Sequence, residues 1–132
     1  MKVMLDTNIC IYIIKEKPLS VIEHFKKYEI GDIGISSIVY AELLHGVYKS
    51  QKINQNLTNL HNFIAALQIK EFDRNAAVEY GRIRADLEKK GKVIGANDLL
   101  IAAHAKALNV PLATNNTKEF ERVEDLVLFN WV

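Results

Sequence analysis

Val3-Met4-Leu5-Asp6-Thr7-Asn8-Ile9-Cys10-Ile11-Tyr12-Ile13-Ile14 is the stretch that decides the fold. Val3 to Leu5 is an apolar run without alternation, which suits a short strand buried on both faces. Asp6-Thr7-Asn8 ends it, and Thr7 or Asn8 is placed to cap a helix from Ile9 to Lys15. Outward from this unit the pattern repeats. Pro18 opens a second helix reaching about Tyr28, Ile33-Gly34-Ile35 reads as a second strand, and Ser36 or Ser37 caps a helix to about Tyr48. Leu57, Leu60, Ile64 and Leu67 recur at helical spacing and predict an amphipathic helix from Ile53 to Leu67. Gln68 to Phe72 is a third strand candidate. Asp73 or Asn75 starts a long helix to Lys90, and Asn97-Asp98 starts another that ends near Leu108. Val110 to Ala113 and Leu126 to Phe129 complete the strand candidates. Strands separated by helices throughout predict an α/β fold in three layers, a short parallel sheet covered by helices on both faces. In such a sheet, sites form beyond the carboxyl ends of the strands.

The chain has 132 residues, of which 49% are apolar, which predicts a single domain spanning residues 1–132 with one core. Seventeen Lys and Arg stand against 16 Asp and Glu, so no global basic footprint announces a nucleic-acid binder and any such contact must be a local patch. Cys10 is the only cysteine, so there is neither an internal disulfide nor a Cys/His zinc pattern. A carboxylate interrupts the first apolar run before it is long enough to target or span a membrane, so the sequence predicts a cytoplasmic protein without membrane spans.

Asp6 falls at the end of the first strand, Asp98 at the start of the helix that feeds the fourth, and Thr114-Asn115-Asn116 directly after the fourth. Each acid alone is equally well read as a helix cap favoured by the helix dipole. Glu42 is not nominated by its helix. A wheel of residues 37–50 gathers Tyr40, Ala41, Leu43, Leu44, Val47 and Tyr48 on one arc and sets Glu42 opposite with His45 and Lys49, which favours a solvated position.

The flanking sequence changes this. MLDTN (4–8), SSIVYAELLHG (36–46), IGANDLLIAAHA (94–105) and TNNTKEF (114–120) resemble, in order and across essentially the whole chain, the signature blocks of PIN-domain nucleases, and specifically of VapC-type toxins of toxin–antitoxin pairs. The resemblance implies that Asp6, Glu42 and Asp98 gather at one end of the sheet as catalytic acids holding Mg²⁺ or Mn²⁺, one ion or two. It also implies hydrolysis of structured RNA by water, leaving a 5′-phosphate and a 3′-hydroxyl; an initiator tRNA anticodon loop is one target among related toxins. Many relatives carry Asp where this chain has Asn116, so either Asn116 or Glu119 completes the site. Thr7, Asn8, Ser36 and Thr114 flank the acids and either orient them or cap helices. The clustering has a physical logic: two carboxylates about 5 Å apart repel by roughly 3 kcal/mol at an effective dielectric near 20, and all-oxygen donors select a hard cation.

His24, His45, His61 and His104 show no ligand spacing and read as surface or packing residues. Arg82, Arg84, Lys89, Lys90 and Lys92 form the densest basic stretch, which is either an RNA contact or an exposed helix end. Ile9, Ile11, Tyr12, Ile13 and Ile14 exceed what one core-facing stripe needs; they are either a buried helix or, as the resemblance implies, a groove for an antitoxin segment or a homodimer contact. Two other functions compete. A Leu-Asp-Thr strand end also introduces the nucleophile of haloacid-dehalogenase-like phosphotransferases, but their second Asp is Asn8 here. A non-catalytic PIN-like module that binds RNA or protein is opposed by the survival of all three acids.

Overall fold

The computed structural model describes all residues, 1–132. Its one sheet has five strands, β1 (Val3–Leu5), β2 (Ile33–Ser36), β3 (Gln68–Lys70), β4 (Leu112–Ala113) and β5 (Leu128–Phe129), all parallel and ordered β3-β2-β1-β4-β5. The connecting helices are α1 (Thr7–Ile14), α2 (Leu19–Phe25), α3 (Ser37–Tyr48), α4 (Ile53–Ile64), α5 (Arg74–Lys90), α6 (Ala96–Leu108) and α7 (Thr117–Phe120). The chain steps outward from β1 through β2 to β3, then crosses back to lay β4 on the other side of β1, with Met4 opposite both Gly34 and Leu112.

Every residue of β1 and β2 is buried. Neighbouring strand residues face opposite sides, so the central strands are covered on both faces and the three-layer α/β expectation holds. Leu5, Ile35 and Leu112 are fully buried there, each contributing roughly 1.5–3 kcal/mol of apolar burial. No helix is long and apolar enough to cross a membrane.

Local boundaries differ from the sequence reading where side chains take over. Helix α1 starts at Thr7 because Asp6, rather than Thr7 or Asn8, is the cap: its Oδ1 accepts the Ile9 amide at 2.9 Å. Asp73 caps α5 in the same way through Ala76, and Ser36 caps α3 through Ile38. Helices α2 and α4 stop at Phe25 and Ile64, short of Tyr28 and Leu67. Helix α7 was not expected from the pattern, because four residues are too few to show a period. Helix α5 ends on Gly91, whose φ of 66° is the left-handed conformation glycine adopts without strain.

His104, read as a packing residue, is an internal tie. It is buried in α6, and its Nδ1 lies 2.7 Å from Ser36 Oγ, which itself accepts the Ile38 amide. The Glu71 backbone carbonyl is a further partner of the imidazole, and the ring meets Phe72 edge-on. One side chain thus joins α6 to the β2–α3 junction and to the segment after β3. Burial holds its pKa below the ordinary value of 6.5. The unfolded chain therefore takes up this proton first, and stability from His104 is present above about pH 6.5 and lost as pH falls through that value toward the lower folded one. Chemical denaturation between pH 8 and pH 5 should show wild type losing more stability than His104→Gln over this range; parallel pH profiles would remove the tie.

Candidate active site

The strand order reverses beside β1, and the carboxyl ends of β1 and β4 meet there. The Asp6 amide donates to the Ala113 carbonyl at 3.1 Å, continuing the ladder one residue past the strands. Asp6 and Thr114 therefore stand side by side, and the Thr114 hydroxyl donates to Asp6 Oδ2. Both residues are buried. The Asp6 carboxylate is fixed at both oxygens, by Ile9 on one and Thr114 on the other. Burial pushes its pKa up, the Thr114 and Ile9 hydrogen bonds pull it down, and the Glu42 charge raises it further.

Glu42 reaches this site from α3. Thr7 donates its hydroxyl to Oε1 at 2.7 Å and Asn97 donates its amide to Oε2 at 3.2 Å, so α1 and α6 together aim the carboxylate. The wheel drawn from the sequence is corrected here. Ala41 and Tyr48 are exposed, the buried line of α3 is Val39, Leu43 and Val47, and Glu42 is half-buried beside it while His45 and Lys49 are exposed. The apolar arc was set too wide, because not every apolar residue of α3 faces the core.

Asp98 lies in the first turn of α6, at the positive end of the helix. Its pKa is nonetheless pushed up to about 6, by burial first and then by Glu119, Asp6 and Glu42. Asp98 and Glu119 act on one another as neighbouring acids, Glu119 raising the Asp98 pKa and Asp98 lowering that of Glu119. Glu119 Oε1 accepts the Gly95 amide at 3.1 Å and Oε2 accepts Asn116 Nδ2 at 2.6 Å, and these bonds hold its carboxyl below the usual range. Asn116 also donates its backbone amide to Thr114 Oγ1 at 2.9 Å, and its Nδ2 lies 3.5 Å from Asp98 Oδ2.

None of the four ion pairs of the molecule involves Asp6, Glu42, Asp98 or Glu119, and the charge of Arg122 reaches only Glu119, so the cluster carries excess negative charge. An all-oxygen donor set with excess charge fits a hard divalent cation. No three of the acids close to ligating distance around one point.

A profile of the PIN domain matches residues 3–126. The chain belongs to the PIN-domain family. It is 48% identical to ribonuclease VapC2 of Rickettsia felis over 132 residues, covering 97% of this chain and 96% of that protein. The tRNA(fMet)-specific endonuclease VapC of Shigella flexneri is 43% identical over 131 residues, covering 99% and 98%. Among solved structures, VapBC of Salmonella typhimurium bound to DNA superposes with a TM-score of 0.94 at 39% identity, over 100% of this chain and 99% of that one. VapBC2 of Rickettsia felis, bound to a fragment of its promoter, gives a TM-score of 0.91 at 47% identity over the whole of both chains.

Of the flanking residues expected around the acids of this PIN domain, Thr7 and Thr114 each contact one. Ser36 does not: its hydroxyl is directed to Ile38 and His104. Asn8 is exposed and makes no side-chain hydrogen bond. Asn97 and Gly95, which hold Glu42 and Glu119, were missed as site residues; Asn97 stood directly before Asp98, and the backbone amide of Gly95 leaves no trace in a side-chain pattern.

Crowded carboxylates oppose folding in the absence of a cation. Metal-free Asp98→Asn should melt above metal-free wild type at pH 8, while Mn²⁺ should raise the Tm of wild type and not of the variant. A lower Tm for the variant, or an equal Mn²⁺ response, would remove Asp98 from the cation site; differential scanning fluorimetry reads both.

Proposed function

We propose that this PIN domain is an endoribonuclease toxin that hydrolyses phosphodiester bonds in structured RNA, with Asp6, Glu42 and Asp98 holding Mg²⁺ or Mn²⁺, and that a cognate antitoxin neutralises it. The observation that carries this reading is the group of carboxylates gathered outside any ion pair at the switch point of the sheet. The full-length likeness to ribonucleases VapC supports it, and ribonucleases of this family are generally metal-dependent. When bound, the cation would polarise the scissile phosphodiester and ease deprotonation of the attacking water.

The chain's own residues supply the geometry. Thr114 and Ile9 fix both oxygens of Asp6, and Thr7 and Asn97 fix both oxygens of Glu42. Such carboxylates do not reorganise during the reaction, the condition under which they stabilise a transition state best. Glu42 or Asp98 orients the attacking water and takes its proton. Glu119, beside Asp98, is the fourth acid, and Asn116 positions the pair by donating to both. Glu119→Gln should therefore raise the Mn²⁺ concentration for half-maximal cleavage several-fold and more than Asn116→Ala does; the reverse order would transfer the role to Asn116.

The antitoxin seat is a groove of about 380 Å³ between α1, α3 and α4. Ile11, Ile14, Leu43, Val47 and Leu60 give it apolar walls, and Glu42 lies at its edge. The apolar excess of α1 thus divides: Ile9 and Ile13 are core, Ile11 and Ile14 face the groove, and the Tyr12 hydroxyl accepts from Asn115. An amphipathic segment laid here would bury apolar side chains and bring an Arg to the acids. The Rickettsia felis and Salmonella typhimurium relatives are solved as VapBC complexes bound to DNA.

Excess EDTA should abolish RNA cleavage by the purified chain, and Mg²⁺ or Mn²⁺ should restore it; cleavage undiminished in EDTA would sink the mechanism. Initiator tRNA is the first substrate to test, by mapping RNA ends after brief induction. Expression of the chain alone should arrest growth, Asp6→Asn should not, and co-expression of the cognate antitoxin should rescue the wild type. Asp6→Asn keeps a side chain able to cap α1, so loss of cleavage by well over a hundredfold should come without loss of the fold. Equal tolerance of wild type and variant would leave a nuclease without the toxin role.

A further inference from the structure

We propose that Lys92, Lys118 and Arg122 form a docking site for a backbone phosphate of the RNA beside the scissile bond, an inference that rests on the ribonuclease reading above. A depression of about 460 Å³ opens between the end of α5 and α7, lined by Gly91, Lys92, Lys118, Glu121 and Arg122 without a single apolar side chain. The three cations outnumber the one acid, and none of them takes part in any of the four ion pairs. Of the rest of the basic stretch, Arg82, Arg84 and Lys90 are paired along α5 with Glu79, Glu88 and Asp86, and Lys89, in the last turn of α5, adds a further unpaired cation close to the depression. Pairing leaves those three as a solvated helix face and concentrates the available positive charge where α5 ends.

The backbone beneath the depression is fixed. Gly91 turns out of α5 in the left-handed conformation, and the Lys92 amide donates to the Leu87 carbonyl at 2.9 Å. The Arg122 amide donates to the Glu119 carbonyl at 3.1 Å, and Arg122 Nη1 donates to the Val93 carbonyl at 3.3 Å, tying α7 to the loop that follows Lys92. This loop leads to Gly95, whose amide holds Glu119, and Lys118 directly precedes Glu119. The cationic depression and the acid cluster are two sides of one piece of backbone.

Charge gives the arrangement its purpose. A cluster of acids repels a polyanion, so the phosphates on either side of the scissile one need cations close by, and a chain of net charge +1 supplies no general attraction. Lysines without partners suit a phosphate as point charges, and an Arg anchored at one nitrogen keeps other donors free.

The test measures binding of a fluorescein-labelled RNA stem-loop to the full chain carrying Asp6→Asn, by fluorescence anisotropy from 50 to 200 mM salt. Adding Lys92→Gln and Lys118→Gln should weaken binding about tenfold and lower the slope of log affinity against log salt by about 0.7, the value for one single-stranded phosphate contact. Arg82→Gln with Arg84→Gln removes the same charge from the paired face and should leave the slope unchanged. In the active chain, the lysine pair should raise KM for the stem-loop with kcat retained. Equal slopes for the two double variants would overturn the proposal. So would a loss of antitoxin neutralisation with RNA binding intact, which would make the depression a seat for an acidic protein segment. Because the slope is read in the Asp6→Asn chain, failure of the wild type to cleave RNA would count against the ribonuclease reading alone.

Discussion

The bond from the Thr114 hydroxyl to the Asp6 carboxylate joins the carboxyl ends of β1 and β4, strands brought together from 108 residues apart in the chain. It forms at the one place in the sheet where the chain reverses its direction of growth, so two helices diverge above it and leave a crevice. Asp6 meets three demands at once: it ends β1, caps α1 through Ile9, and presents a buried carboxylate to the crevice. The first two fix the third, because a side chain bonded at both oxygens has no alternative rotamer. Everything else at the site is arranged around this fixed acid.

The remaining acids are held by a second set of elements: Glu42 by Thr7 and Asn97, Glu119 by Gly95 and Asn116. These bonds run between α1, α3, α6 and α7, so the site is also a junction of helices. Its electrostatics work against the fold, as the elevated Asp98 carboxyl records. The central strands offset this with largely apolar burial on both faces. The division is physically sensible: the sheet supplies stability, and its carboxyl edge holds the unfavourable charge of the acid cluster.

Much of this was legible in the sequence, and for identifiable reasons. Unalternating Val3-Met4-Leu5 suits a strand buried on both faces, and alternation of such runs with helical periods leaves a parallel sheet as the natural outcome. Asp6 and Asp98 were visible because they sit where strands end and helices begin. Glu42 was not visible in its own helix and came from resemblance alone, since a wheel ranks residues by apolarity and cannot see a Thr and an Asn arriving from two other helices. Gly95 was invisible for a different reason: it acts through its backbone amide. Helix α7 was too short for any period, yet it carries Glu119 between Lys118 and Arg122.

That last juxtaposition bears on how a nearly neutral chain can act on a polyanion. Summed charge reported no nucleic-acid binder, because 17 cations and 16 acids nearly cancel. The structure cancels them unevenly. Along α5, cations and acids face each other at helical spacing and neutralise one another locally, as Arg82 with Glu79 and Lys90 with Asp86 do. At the crevice the acids stand outside any ion pair, and at the end of α5 the cations of the depression stand nearly without acids. A divalent cation matches the first surplus and a phosphate the second. Together they set a positive patch beside a negative one, an arrangement that depends on where the charges lie and not on how many there are.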